Sequence, residues 1–109
     1  MRILLIFLLL IITTPSYAQE SAELYARCFG AYTGIVSTLE KYSIGSKAQK
    51  EQINQFISKR TLMLEKLNAF NLSDNETDRL FEKVGAEIGN NAVEYAKLCD
   101  KAMGFNSTF

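Results

Sequence analysis

Residues 73–104 read SDNETDRLFEKVGAEIGNNAVEYAKLCDKAMG, and the way this stretch divides decides the fold. It opens on Ser73, followed three residues later by Glu76, with Asp74 between them. Ser and Glu at that spacing form a capping box, and acidic groups in a first turn oppose the positive end of the helix dipole. A helix therefore starts there. Its apolar stripe is Leu80, Phe81, Val84, Ile88, Ala92, Tyr95, Cys99 and Ala102, at steps of three and four, and Gly104 is a suitable stop. In the middle, Gly85, Gly89, Asn90 and Asn91 are weak helix formers set close together, so the helix is expected to kink or break near Gly89 to Asn91.

The cysteines sharpen that expectation. Cys28 and Cys99 are the two in the chain. In an up-down-up bundle the first and third helices run parallel, which puts Cys28 about 10 Å along one and Cys99 nearly 40 Å along the other at about 1.5 Å of rise per residue. Bridged cysteines need Cα atoms within about 7 Å. Two arrangements bring them level. The chain can reverse near Gly89 to Asn91, making the last piece a fourth helix antiparallel to the first. Otherwise an unbroken third helix crosses the first steeply, with Gly85 and Gly89 permitting close backbone approach. The reading preferred from sequence is an all-α bundle of three long helices, the third kinked, stapled by one disulfide, with the four-helix form as the alternative.

The upstream segments fit the same class. Tyr25, Cys28, Tyr32, Ile35, Leu39 and Tyr42 form a helical stripe over about residues 21–42, and Gly45 lies in the turn that follows. A second helix over about 47–70 carries a wide face of Ile53, Phe56, Ile57, Met63, Leu64, Leu67 and Phe70. Arg60 interrupts that face, and its stem is expected to pack along the core edge with its head in water. Pro15 is the only proline, so nothing downstream interrupts a helix from that cause.

Residues 1–18 read as a cleaved signal peptide. Arg2 gives a positive start, Ile3 to Ile12 is an unbroken apolar run, and Ser16-Tyr17-Ala18 places small residues where a signal peptidase reads. Pro15 is expected to end the leader helix, and the run is too short to span a membrane, which takes about 20 apolar residues. Cleavage between Ala18 and Gln19 leaves residues 19–109 as one helical domain with a short tail at 104–109 and no stable membrane anchor. Gln19, not Cys, follows the cut, so a lipoprotein is not indicated. Export points to a Gram-negative periplasm or to secretion, where an even pair of cysteines reads as a disulfide. A redox role would want a Cys-x-x-Cys pair or a lone activated thiol, and neither is present.

Composition narrows the chemistry. There are 12 basic and 12 acidic residues and no His. Balanced charge removes the basic surface nucleic-acid binding requires, and without His the commonest acid/base and metal ligand is missing. No phosphate loop or metal-ligand cluster is legible, and a Ser or Cys nucleophile would lack its base. Glu82, Glu87 and Glu94 read as a solvated helix face. The expectation is a protein that is not an enzyme and takes no metal or cofactor.

Aromatic residues carry what remains. Tyr25, Tyr32, Tyr42 and Tyr95, with Phe29, Phe56, Phe70 and Phe81, lie near stripes that must be buried, so they read first as core and second as the wall of a ligand pocket. Phe105 and Phe109 sit beyond the last helix, where they either fold back or form a recognition segment. Asn71, Asn75 and Asn106 each begin an Asn-x-Ser/Thr triplet, which matters only in a eukaryotic secretory pathway. The functional expectation is a protein-interaction module that binds another protein or a second copy of itself, with Tyr25, Tyr32, Tyr95, Phe105 and Phe109 as candidate contacts. One alternative is a carrier or sensor of a small apolar ligand held among the tyrosines, which needs a cavity of several hundred cubic ångströms. Another is an acid-stress holdase. The chain is similar to periplasmic acid-stress chaperones in size and cysteine count, and that reading needs carboxylates to carry much of the native stability.

Overall fold

The structure is a computed structural model that describes residues 2–42 and 45–106, with side chains described for 21–42 and 45–106. Four helices follow one another: α1 (Arg2–Tyr42), α2 (Lys47–Asn68), α3 (Asp74–Ile88) and α4 (Ala92–Met103), with no strand among the described residues. The all-α bundle with one disulfide is thus what the chain forms. The third helix does not merely kink. It breaks at Gly89, whose φ of +48° suits a residue without a Cβ, and Asn91 starts the next helix with its backbone carbonyl accepting from Tyr95 N–H.

Local chemistry sets the other ends. Ser46 caps α2 by accepting from Gln49 N–H at 3.2 Å. Helix α2 stops at Asn68 rather than near Phe70 because Ala69 and Phe70 form a turn and Asn71 takes a left-handed φ of +53°. Ser73 caps α3 as expected: its hydroxyl oxygen accepts from Glu76 N–H at 3.2 Å, and the hydroxyl donates to Glu76 Oε1 at 3.1 Å. At the end of α4, Gly104 is left-handed and Phe105 N–H donates to the Asp100 carbonyl at 2.9 Å. That is a Schellman closure, and it turns the chain back onto the bundle.

Helix α1 is the hub, since α2, α3 and α4 all pack on it. Paired residues give the directions. Tyr25 meets Phe70 and Tyr32 meets Phe56, so α2 is antiparallel to α1. Arg27 meets Glu87 and Glu23 meets Lys83, so α3 is parallel. Gly34 meets Ala92 while Cys28 bonds Cys99, with Cα atoms 5.6 Å apart, so α4 is antiparallel. The reversal at Gly89 brings the cysteines level, as the four-helix alternative required.

Several expectations need correction. Serving three partners, α1 buries more than one stripe: Ala22, Ala26 and Val36 join Cys28, Ala31, Tyr32 and Ile35 in the core, while Tyr42 at the far end is 68% exposed. On α2 the buried line is Ile53, Phe56, Met63 and Leu67, and Leu64 points outward. Consecutive Met63 and Leu64 lie about 100° apart on a helix, so one stripe takes only one of them. The close helix approach comes from α1 instead of the third helix. A Cβ on Gly34 would lie 3.1 Å from the Ala92 Cβ and one on Gly30 would lie 3.0 Å from Ile88 Cδ1, whereas Gly85 faces open space. Pro15 does not end a helix, because the backbone is helical throughout Arg2–Tyr42. Its fixed φ is itself helical, and what it removes is one hydrogen bond in a long run. The side chains of residues 1–20, those of Ala18 and Gln19 at the proposed cut among them, lie outside what is described.

Candidate functional site

Two places concentrate polar chemistry. The first is a cleft of about 410 Å³ at the end of the bundle where α2 gives way to α3. Ala22 and Glu23 line it from α1, Phe70 and Leu72 from the α2–α3 connection, and Glu76, Arg79, Leu80 and Lys83 from α3. Those four α3 residues share one helix face by their steps of three and four. Ala22, Phe70, Leu72 and Leu80 make the apolar part. Phe70 is steadied from behind by Tyr25, with ring centroids 6.0 Å apart.

The charges at this cleft are not equally engaged. Glu23 Oε1 takes the Lys83 ammonium at 3.0 Å and the Arg27 guanidinium at 3.3 Å. Arg27 in turn reaches Glu87 Oε2 at 3.0 Å, so the four groups form one network between α1 and α3. Glu76 is held by Ser73 in the first turn of α3. Arg79 is exposed and has no ion-pair partner among the described residues.

The second place is internal. Asp100 is buried in α4, next to the disulfide. Its Oδ1 accepts from Tyr32 Oη–H at 2.7 Å and from Lys59 Nζ at 2.9 Å, while Oδ2 is buried with no hydrogen-bond partner among the described residues. Lys59 also donates to the Asn106 carbonyl at 3.2 Å, and its ammonium lies 5.5 Å from the ring centroids of Phe56 and Phe105 and 5.8 Å from that of Tyr32. Burial above all, then the hydrogen bond to Asp100 and its negative charge, raise the Tyr32 phenol well above its ordinary value. This cluster is a clasp. It ties α2 to α4, which otherwise meet mainly through α1, and it seats the turn after α4.

The sequence-derived contact residues fall in separate places. Tyr32 is fully buried in the clasp. Tyr25 supports the cleft from behind, and Tyr95 packs half-buried against the core on α4. Among the described residues no tyrosine lines the cleft. Phe105 folds back onto the core beside Lys59, and Phe109 lies outside the described residues. Lys59 and Asp100 were missed, although Lys59 stands three residues after Phe56 and Asp100 adjoins Cys99, positions on buried arcs. For the cleft no local signal exists, because three segments far apart in sequence supply it. Among the described residues no group of three or more His, Cys, Asp or Glu side chains is placed to hold a metal ion, and no helix is long and apolar enough to cross a membrane. The disulfide is compatible with a location outside the cytoplasm. Comparison with protein-family models, curated proteins and solved structures finds no match to this chain.

Proposed function

We propose that this protein is a non-catalytic carrier or sensor of a small, largely apolar molecule, working in a periplasm or outside the cell after loss of residues 1–18. The observation that carries this reading is the cleft, whose volume of about 410 Å³ falls within the range of small-ligand sites and whose lining joins an apolar part, Ala22, Phe70, Leu72 and Leu80, to four charged side chains. This reading puts the ligand in the cleft and not among the tyrosines, where the sequence expectation had it.

An interaction module finds less support. Phe105 is engaged by the bundle, and Val93 and Leu98, at 48% and 62% exposed, stand five residues apart on α4. Five residues separate two side chains by about 140° around a helix, so the two do not form one patch.

The test is mass spectrometry of the protein recovered from its host's extracytoplasmic fraction, run under native and denaturing conditions. The reading expects residues 19–109 less two hydrogens after denaturation, and a small noncovalent adduct in the native spectrum. A bare native mass, with no small molecule taken up from a host lipid extract, would overturn it.

A further inference from the structure

We infer that the cleft selects a single-headed anionic amphiphile, of the chemical class of a medium-chain aliphatic carboxylate, with its chain against Phe70, Leu72, Leu80 and Ala22 and its head on Arg79. The inference rests on the reading of the cleft as a ligand site and adds the ligand's charge, its orientation and the residue that sets both.

Among the described residues four ionisable side chains line the cleft: Glu23, Glu76, Arg79 and Lys83. Glu23 and Lys83 satisfy each other at 3.0 Å, and Arg27 adds a second cation to Glu23. Glu76 accepts the Ser73 hydroxyl at 3.1 Å and lies in the first turn of α3, where the helix dipole already favours a negative charge. That leaves the Arg79 guanidinium as the lining charge without a counter-charge among the described residues. A guanidinium presents paired N–H groups in a plane that matches the two oxygens of a carboxylate. Arg79 and Leu80 are consecutive on α3 and both line the cleft, one exposed and one half-buried. A ligand with an acidic head and an apolar chain can satisfy both at once. The two carboxylates in the same lining argue against a second negative charge, so a single head is favoured over a dianion.

Shape gives the chain its limits. The cleft is partly open, so it covers a chain only in part. Each methylene that leaves water contributes about 0.8 kcal/mol, which is about fourfold in affinity when burial is complete and less here.

The experiment is titration of the processed, disulfide-bonded protein with octanoate, decanoate, decanol and decylammonium, all below micelle formation. Calorimetry gives affinities, and amide chemical shifts at Leu72, Leu80 and Lys83 locate the site. Decanoate should bind about fivefold more tightly than decanol, a magnitude set by one exposed ion pair. It should also exceed octanoate, with decylammonium weakest. Arg79→Gln should erase the preference for decanoate over decanol, with the circular dichroism spectrum unchanged. Equal binding of decanol and decanoate, stronger binding of decylammonium, or a preference that survives Arg79→Gln would overturn this inference while leaving the carrier reading in place. Failure of all four probes to perturb the cleft amides would overturn both.

Discussion

The Lys59 ammonium lies 2.9 Å from Asp100 Oδ1, and this contact joins the middle of α2 to the last turns of α4. Both side chains are largely removed from water, at 12% and 4% exposed. Taking two charges out of water is costly, and the clasp offsets that cost with three further interactions: the Tyr32 hydroxyl, the Asn106 carbonyl and the aromatic rings around the ammonium. The pair therefore favours one particular docking of α4 more than it adds raw stability.

Breaking the clasp from one side should be worse than replacing it whole. Lys59→Met leaves a buried carboxylate held only by Tyr32, and a loss of about 3 kcal/mol is expected. Asp100→Asn keeps an acceptor for both donors and should cost less. The double variant Lys59→Met with Asp100→Leu should be more stable than Lys59→Met alone. Urea unfolding of the three proteins checks this ordering, and a double variant no more stable than Lys59→Met would refute it.

Alkaline stability follows from Tyr32. An unfolded chain loses the Tyr32 proton as pH passes about 10, while the folded protein holds it, because burial and Asp100 raise the phenol. Stability from this group is complete below pH 10 and should fall by about 1.4 kcal/mol per pH unit above it, until the folded phenol itself ionises. Urea melts between pH 9 and 11 measure the slope. Tyr32→Phe should remove that share of the decline, and an unchanged slope would count against the assignment.

Two glycines four residues apart should respond differently to a methyl group. At Gly30 the Cβ of an alanine would press on Ile88 Cδ1, the end of a flexible side chain, and the gain in helix propensity is about 1 kcal/mol. Gly30→Ala should thus be neutral or stabilising. At Gly34 it would meet the Ala92 Cβ, which moves only if α4 moves. Gly34→Ala should cost about 1–2 kcal/mol net, seen as a lowered Tm. Equal effects at the two sites would show that α4 is not seated as described.

Removing the staple tests how much of α4 the rest of the fold holds. The Cys28–Cys99 bond closes a loop with a sequence separation of 71, and the chain-entropy estimate for such a loop is about 4 kcal/mol. Cys28→Ser with Cys99→Ser should lose close to that amount. Hydrogen exchange should rise in Ala92–Met103 before it rises in α2. Uniform acceleration across all helices would mean that α4 is not a separable unit.

Local features were readable without coordinates, and each has a local cause. The Ser73–Glu76 cap, the stop at Gly104 and the disulfide depend on a few adjacent residues or on a covalent bond, so the sequence by itself determined the helical class, the start of α3, the end of α4 and the pairing of Cys28 with Cys99, while it left the choice between a kink and a break near Gly89 to the packing on α1. Even there the hydrophobic period was ambiguous where two apolar residues adjoin, as at Met63 and Leu64, because only a neighbouring helix selects which one it covers. Only the tertiary structure decided that α1 is the hub and that Gly30 and Gly34, rather than Gly85, admit the close approach of the later helices. It also decided that Lys59 meets Asp100, 41 residues away, and that Ala22, Phe70 and Leu80 share one cleft. Those relationships are set by how helices cross, and a single chain of letters carries period and propensity but no crossing angle.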